Sequence, residues 1–461
     1  MTDLIVTNGY VLTMDAARRM FADGAVAISG SKIEAVGRSD EILARYKASH
    51  VIDAKGSVVM PGLIDGHNHI MSYFCCGYGD EADIMSRLYD TLYPYETLLT
   101  PEEAYFSALG NYIEMIKNGT TCFNDPGGYL VDSLAQAAVD IGIRGIVNRS
   151  TRDIAPKGKP LPPQLFEDIE TNLREAEKTV HAWNGAAGGR IRAWYSLRYI
   201  FNISDRLATG IRDLARRDGV GVHAHVAAVR GENEAVQQIF GKRSLERYYD
   251  LGLFRPNLYC VHMGFPNERE VDLLVRHGVK VTHCPSAAMV GAWGVIGNKM
   301  IPYMIEKGVP VSIGTDTAGA AGSLDMFRVM YVFATVHRDP HNDPTLIGAY
   351  KALEHATIVG AKACLWDDEI GSLEPGKKAD LLLVDRSAPE WQHPGRDVVR
   401  SLVYSANGSH VDTVIIDGKI VMRHRALTMI DEGWATGKIR ASAAAVRERG
   451  GFPVRTAWPV A

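Results

Sequence analysis

The stretch GLIDGHNH (62–69) joins a short apolar run to two histidines that follow it directly. Residues i and i+2 of an extended chain point to the same face, so His67 and His69 can point together. Seven further segments are mainly apolar and bounded by Gly, Asn or Pro, which is typical of buried parallel strands. They are GTTCFND (119–125), GIRGIVNRS (142–150), IRAWYSL (191–197), GVGVHAHV (219–226), NLYCVHM (257–263), VKVTHCP (279–285) and VPVSIGTD (309–316).

Helical patterns separate these eight segments. In one of them, PEEAYFSALGNYIEMIKNG, Thr100 and Glu103 form a capping-box pattern around Pro101 at the first helical position. Strands that alternate with helices predict an α/β fold, here a distorted (β/α)₈ or TIM barrel. An open doubly wound sheet is the alternative, but no GxGxxG motif follows any of the strands.

Both ends of the chain carry short β-rich runs instead. Turns of the hairpin type are predicted at Asn8-Gly9, Gly30-Ser31 and Asp417-Gly418. Two β-rich ends that flank an αβ middle suggest one discontinuous sheet domain. We expect residues 1–58 and 366–461 to form this small domain, with a C-terminal helical tail, and residues 59–365 to form the catalytic barrel.

Composition excludes several classes of function. Apolar residues make up 46% of the 461 residues and charged residues 23%, with a net charge of −4 and no basic block. We therefore expect no nucleic-acid or membrane partner, and a small-molecule substrate instead. No secretory signal and no apolar run of membrane-spanning length is visible. The six cysteines form no CxxC motif, which favours reduced thiols that pack in the core of a cytoplasmic protein.

Polar residues end five of the predicted strands, and active sites of parallel barrels form at that end. A single HxH motif is a weak signal, and one histidine at a strand end is more often structural. Several such ends in register are much harder to explain by packing alone. Three imidazoles with one carboxylate suit zinc, and also iron(II), cobalt or manganese. The strand-end residues are His67, His69, His225, His262, His283 and Asp316.

At these motifs the chain resembles the metal-dependent amidohydrolase superfamily, in particular the branch with cytosine, guanine and adenosylhomocysteine deaminases and triazine hydrolases. The resemblance spans nearly the whole chain. It is carried by VMPGLIDGHNHI (59–70), VHAHV (222–226), CVHMG (260–264), THCPSAAMVGAWG (282–294), SIGTDTAG (312–319) and EIGSLEPGKKADLLLVD (369–385).

The resemblance implies a β-sandwich-like terminal domain, a homo-oligomer (dimer or tetramer) and one divalent metal, with zinc preferred. Binuclear members supply a lysine from strand four, which IRAWYSLRY lacks. A second metal would need another ligand, such as Asn124 or Asp125. The implied metal ligands are His67, His69, His225 and Asp316. Asp316, His262 and His283 are the implied catalytic residues, acting on the bound water or the substrate.

The chain departs from the deaminase pattern after strand five. Deaminases of this branch carry HxxE, whose glutamate transfers protons to the ring and to the leaving amine. Here the motif starting at His225 ends in Ala228, which cannot transfer protons. Glu232 or Glu234 would have to fold back to replace that glutamate.

This departure favours hydrolysis at a carbonyl centre, because attack on a ring carbon needs more general acid help. The predicted substrate is therefore a neutral urea, carbamate or amide, as in phenylurea and thiocarbamate hydrolases. The alternative is a deaminase or dechlorinase of a purine, pyrimidine, pterin or triazine. A non-catalytic scaffold is a third hypothesis, but packing alone does not require the four implied ligands.

The long aromatic-rich segment after His69 is expected to cover the site. Alternatively, its aromatic residues only pack the loop down. No arginine cluster is evident, which favours a neutral substrate. His223 is interpreted as an interior histidine, and His277, His337, His341 and His355 as structural. The candidates for an apolar substrate wall are Tyr73, Phe74, Met289 and Trp293.

Overall fold

The computed structural model describes residues 2–155, 158, 160–452, 456 and 458. Its strands are β1 (Thr2–Leu12), β2 (Met20–Ser29), β3 (Lys32–Arg38), β4 (Ala48–Asp53), β5 (Val58–Pro61), β6 (Leu63–Asp65), β7 (Thr120–Asn124), β8 (Arg144–Thr151), β9 (Ile191–Leu197), β10 (Val222–Val226), β11 (Leu258–His262), β12 (Lys280–His283), β13 (Val311–Ile313), β14 (Leu381–Val384), β15 (Val411–Ile416), β16 (Lys419–Arg423) and β17 (Ala426–Leu427).

The helices lie between and after these strands. The α-helices are α1 (Ser39–Arg45), α2 (Ile84–Ser86), α3 (Tyr93–Glu96), α4 (Pro101–Lys117), α5 (Val131–Ile141), α6 (Ile169–Trp183), α7 (Ala186–Gly189), α8 (Asp205–Asp218), α9 (Glu232–Phe240), α10 (Ser244–Asp250), α11 (Glu268–His277), α12 (Pro285–Val290), α13 (Met300–Glu306), α14 (Ala318–Ala321), α15 (Met326–Thr335), α16 (Ala349–Ala356), α17 (Ile358–Ala363), α18 (Val398–Tyr404) and α19 (Glu432–Gly450). A π-helix spans Arg87–Leu92.

The eight parallel strands β6 to β13 lie side by side in chain order. Main-chain hydrogen bonds join the last strand to the first: Gly66 N donates to Ile313 O (2.9 Å) and Asp316 N donates to His67 O (2.8 Å). A side chain at Gly314 would prevent this approach, because its Cβ would lie 2.7 Å from His67 N. The predicted barrel is confirmed, and the open sheet is excluded because the first and last strands meet.

The barrel strands are continuous apolar runs because helices cover their outer face and side chains fill the interior. Every residue of β7, β8, β10 and β11 is buried. The predicted capping box is confirmed at the start of α4, where Glu103 N donates to Thr100 Oγ1 and Thr100 N donates to Glu103 Oε2. The local signals therefore agree with the tertiary fold.

The strands of both termini form a second, nine-stranded mixed sheet. The two termini meet where β5 pairs antiparallel with β14. The predicted turn at Asn8-Gly9 is wrong: β1 runs through it, with Asn8 at φ 56° and a register shift against β2. This is a β-bulge rather than a hairpin. The C-terminal helix α19 packs on the barrel, where Arg449 pairs with Glu103 of α4.

In the described part of the chain, no helix combines the length and the apolar character that crossing a membrane requires. The domain boundaries at residues 58 and 365, the cytoplasmic location and the homo-oligomeric state remain predictions.

Candidate active site

The four side chains implied as metal ligands converge at the mouth of the barrel. His67 and His69 follow β6, His225 lies in β10 and Asp316 follows β13. Asp316 Oδ1 lies 3.5 Å from His67 Nε2 and 3.5 Å from His69 Nε2. His69 Nε2 lies 3.3 Å from His225 Nε2. His67, His69 and Asp316 bring ligand atoms within 4.8 Å of one another, and His67 does the same with His225 and His262.

These three separations match the distances between corners of a tetrahedral metal site. Ligand atoms at about 2.0–2.2 Å from zinc lie roughly 3.3–3.5 Å from one another at tetrahedral corners. His67 Nε2 is buried, and no described residue forms a hydrogen bond with it. A buried nitrogen without a partner is costly unless something else, such as a metal, binds it. The donor set therefore fits one divalent metal of the zinc type.

A chain of hydrogen bonds orients His67. Asn124 Oδ1 lies 3.1 Å from His223 Nδ1, and His223 Nε2 lies 3.1 Å from His67 Nδ1. An amide oxygen only accepts, so His223 donates from Nδ1 and accepts the proton of His67 Nδ1. The lone pair of His67 Nε2 then faces Asp316. The interior histidine His223 thus selects the metal-binding tautomer of His67.

Replacing His223 should weaken metal binding without removing a ligand. We expect His223→Leu to lower metal affinity about 10- to 100-fold, the usual effect of losing such a partner. His223→Gln, which can still bond His67, should restore part of the loss. Competition with a chromophoric chelator measures the affinity, and His277→Ala, at the end of α11, is the control. Equal affinities of His223→Leu and the wild type would contradict this role.

His69 has a cationic partner. Arg198, which follows β9, places Nη1 3.0 Å from His69 Nδ1 and donates from Nη2 to Glu96 Oε1 at 2.9 Å. Glu96 Oε2 accepts a second bond, from Arg152 Nη2, at 3.0 Å. A guanidinium only donates, so this contact opposes the tautomer of His69 with its proton on Nδ1, which is the one whose Nε2 can bind a metal. Two buried cations against one buried carboxylate leave this side of the site positively charged.

Burial keeps the imidazoles of the site neutral. It lowers the pKa of His67 to about 3 and the pKa of His262 to about 4. Burial also holds the pKa values of His69 and His225 well below their ordinary value, and it raises the pKa of Asp316. Neutral imidazole is the form that binds a metal, so the pocket favours the binding-competent state.

The backbone is strained where the strands reach the site. Ala227, just after β10, has φ 52°, His262 at the end of β11 has φ 75°, and Asp316 has φ 71°. Left-handed backbone at a residue other than glycine costs of the order of 1–3 kcal/mol and persists only where surrounding structure enforces it. Such strain is concentrated at functional sites, which agrees with the position of these residues.

The two remaining strand-end histidines differ. The ring of His262 lies 5.6 Å from His67 and 5.5 Å from His225, and it lines the cavity beside them. His283 does not line this cavity. Its ring packs 5.4 Å from the ring of His337, which follows α15, and its catalytic role remains a prediction. Direct contact with the substrate is therefore available to His262 but not to His283.

A cavity opens beside these side chains, with about 790 Å³ of space not filled by atoms, part of it open to solvent. The segment between β6 and α4 forms its opposite wall, as the sequence predicts for this insertion. From that segment, the lining residues are Ser72, Cys75, Cys76, Gly79, Ile84, Arg87, Leu88, Thr91, Leu92 and Tyr93.

Only one of the four residues predicted for the substrate wall lines the cavity, namely Trp293. Tyr73 packs on α4, where Gly110 leaves room for its ring. Phe74 is 7% exposed and belongs to the hydrophobic core, whereas Met289 is 51% exposed. In an irregular loop, the amino-acid composition does not indicate which side chains point into a cavity and which point into the core or the solvent.

Two arginines reach the cavity, Arg87 from the π-helix and Arg198 from the end of β9. Sequence reasoning missed them, because they lie far apart in the chain and no basic run marks either. The expectation of a neutral substrate rested on the absence of an arginine cluster, and the structure removes that basis. The sequence contains one indication that Arg198 could reach the cavity, namely its position directly after a predicted strand.

Ala228 lines the cavity where the HxxE glutamate would stand. Glu232 is buried but does not line the cavity, because four donors occupy both of its oxygens. The donors are the main-chain N–H groups of Ala227 and Ala228 and the hydroxyls of Tyr199 and Ser244. Glu234 is exposed in α9. Glu232 therefore anchors the loop after β10, and neither glutamate replaces the missing acid.

The candidates for a second metal ligand are partly engaged in hydrogen bonds, whereas Asp125 Oδ2 is buried without a described partner. Asn124 bonds His223, and Asp125 Oδ1 accepts from Ile70 N at 3.3 Å. Both groups of side chains that could hold an ion share His67, as far as the described residues show. A single metal remains the prediction of the sequence.

Comparison with known proteins gives a consistent result. Residues 58–421 match the model of the amidohydrolase family. The chain is 36% identical to a 5'-deoxyadenosine deaminase of Methanosarcina mazei, over 94% of this chain and 95% of that protein. It is 32% identical to a 5-methylthioadenosine/S-adenosylhomocysteine deaminase of Caldanaerobacter subterraneus subsp. tengcongensis, over 93% of this chain and 95% of that protein.

Solved structures agree in fold. An adenosine deaminase from Xanthomonas campestris with bound zinc has a TM-score of 0.89 at 27% identity, covering 97% of this chain and 99% of that one. An atrazine chlorohydrolase from Arthrobacter aurescens complexed with zinc has a TM-score of 0.87 at 20% identity, covering 95% of this chain and 100% of that one. At the latter identity the likeness concerns the fold alone.

Proposed function

Because this chain belongs to the metal-dependent amidohydrolase family, as its motifs predict, we propose that it hydrolyses an aminated nitrogen heterocycle and releases ammonia. The family and the relatives make it a hydrolase of carbon–nitrogen bonds other than peptide bonds. The observation that carries the proposal is a cluster of histidine and aspartate ligand atoms 3.3–3.5 Å apart beside the cavity, in a chain 36% identical to a 5'-deoxyadenosine deaminase. The proposed ligands of one divalent metal, preferably zinc, are His67, His69, His225 and Asp316.

The chain's own residues supply the proton transfers. When bound, a divalent metal lowers the pKa of a coordinated water towards about 7. Asp316 borders both the ligand atoms and the cavity, so it is placed to take the proton of the attacking water. His262 lines the same cavity, and its buried Nδ1 has no hydrogen-bond partner among the described residues. It is placed to assist the ring nitrogen or the departing amine.

The cavity suits a planar ring. Trp293 lies with its ring 4.8 Å from that of His262, and Leu88 and Leu92 contribute apolar surface from the covering segment. Aromatic and aliphatic walls with a few convergent polar groups are typical of sites for small planar ligands. This supports a heterocycle as the substrate class.

One observation favours a second candidate. Ala228 cannot transfer protons, and the hydrogen bonds of Glu232 keep it out of the cavity. Hydrolysis of a urea, carbamate or amide carbonyl depends less on such an acid than deamination of a ring does. The second candidate is therefore cleavage of a carbon–nitrogen bond at a carbonyl centre.

The products separate these candidates. Metal-replete enzyme is offered adenosine-type nucleosides, pterins, aminated pyrimidines and triazines, and also ureas, carbamates and anilides. Ammonia release from a heterocycle, followed with a glutamate dehydrogenase assay, supports the proposal. Amine release from the second group alone would replace it with carbonyl hydrolysis. Purified protein that holds no stoichiometric metal would favour a non-catalytic scaffold.

Ala228→Glu tests the proton path directly. If a ring carbon is attacked, a carboxyl group at this cavity position should raise ammonia release about tenfold or more, since general acid–base help is worth roughly 10²–10⁴-fold. Ala228→Gln has nearly the same size and cannot transfer a proton, so it is the matched control. If the bond broken lies at a carbonyl, neither variant should improve turnover.

A further inference from the structure

The cavity holds one cation that the proposed chemistry does not use. We propose that Arg87 binds a carboxylate carried by the substrate. This inference rests on the proposed function and narrows it, since the substrate becomes a carboxylated heterocycle. Arg87 lies in the π-helix Arg87–Leu92 and lines the wall that faces the strand ends. Single turns of π-helix occur frequently at functional sites.

The guanidinium of Arg87 has no partner in the protein as described. It forms no hydrogen bond and no ion pair with any residue that the structure describes, although it is only partly exposed. The other cationic side chain of the cavity, Arg198, is paired with Glu96 at 2.9 Å. Further arginines with little exposure are also paired, among them Arg144, Arg149, Arg152 and Arg247. The unpaired state of Arg87 is therefore an exception.

Packing holds this side chain against the cavity. Gly79 makes room for its stem, because a Cβ there would lie 3.1 Å from Arg87 Cγ. Gly319 makes room for its head, because a Cβ there would lie 3.0 Å from Arg87 Nη2. Any larger residue at these two positions would crowd the arginine. The guanidinium is thus held at the cavity wall rather than extended into solvent.

The charged residues that line the cavity favour an anionic ligand. Its charged lining residues are Arg87, Arg198 and Asp316. Glu96 accepts bonds from both Arg152 and Arg198, so it offsets only one of these two cations. The carboxylate of Asp316 contacts imidazole nitrogens and interacts with Arg87 only at longer range. A partly buried charge without a counter-ion is unfavourable, so a ligand that supplies one gains affinity. A single guanidinium fork matches a carboxylate, whereas a phosphate monoester carries about −1.5 to −2 charges and would call for more donors.

Binding of a minimal probe tests the subsite without turnover. Isothermal titration of zinc-loaded enzyme with benzoate and with benzamide compares an anion with a neutral molecule of the same shape. We expect Arg87→Gln to weaken benzoate binding about 10- to 100-fold, the usual range for a hydrogen bond to a charged group. Benzamide binding should change little. Arg87→Lys keeps the charge but loses the planar, two-pronged donor geometry. Its benzoate affinity should lie between that of the wild type and that of Arg87→Gln.

Arg230→Gln is the matched control. Arg230 is exposed near Gly294 at the rim and does not line the cavity, so benzoate affinity should match that of the wild type. Equal affinity of the wild type and Arg87→Gln for benzoate would overturn the proposal, because the probe would then bind elsewhere, for example at the metal. Failure of the wild type to bind benzoate would overturn it as well.

A kinetic measurement separates this inference from the proposed function. An aminated heterocycle is assayed as its carboxylate and as its carboxamide. Arg87→Gln should raise KM for the carboxylate about 10- to 100-fold more than for the carboxamide. Ammonia release without this difference would overturn the subsite and leave deamination standing. Arginine-dependent benzoate binding without ammonia release from any heterocycle would overturn deamination and leave the subsite standing.

Discussion

Replacing His67 with alanine is expected to release the metal and to reduce turnover about 10³-fold or more, while the protein stays folded. His67 Nε2 lies 3.5 Å from Asp316 Oδ1 and has no other partner, so its loss opens the donor set. Without the ion, water keeps its ordinary pKa near 15.7 instead of about 7. Metal analysis, a turnover assay and circular dichroism give the three readouts.

The control for this variant is His424→Ala. His424 bonds Asp412 at 3.1 Å on the surface, with 74% of its side chain exposed, so its loss should affect neither metal nor turnover. If His67→Ala fails to fold, His225→Ala removes a different ligand of the same set. Full metal content together with normal turnover in either variant would contradict the assigned metal position.

Asp316→Asn is expected to lower kcat about 10²- to 10⁴-fold and to lower metal content much less. Asparagine keeps an oxygen that can face the ion, but it cannot accept the proton of the attacking water. If Asp316 is both a metal ligand and the base, kcat should therefore fall much more than metal content. Metal content and kcat are measured on the same preparation.

The comparison for this substitution is Asp213→Asn, an exposed aspartate of α8 whose loss should be neutral. A parallel fall of metal content and kcat in Asp316→Asn would assign Asp316 to the ligand role alone. Normal kcat with full metal content would remove it from the mechanism. Rescue of turnover at high metal concentration would likewise argue against its role as base.

Local signals sufficed to predict the barrel and to place most of the proposed metal ligands at one edge of it. Strands covered on both faces must be apolar throughout, so β6 to β13 could be recognised as runs of sequence. Parallel strands all end at the same edge, which brings His67, His225 and Asp316 together whatever the loops do. The capping box at Thr100 is equally local.

Other features were decided only by tertiary structure. His262 and His283 end neighbouring strands, yet only His262 turns into the cavity, because side-chain direction at a strand end depends on backbone strain and on the packing of the next helix. Arg87 reaches the cavity through the fold of a long insertion that carries no periodic pattern, whereas Arg198 reaches it from the end of β9. The sequence by itself determined the elements and the metal-binding residue types. Only long-range packing decided which side chains face the substrate.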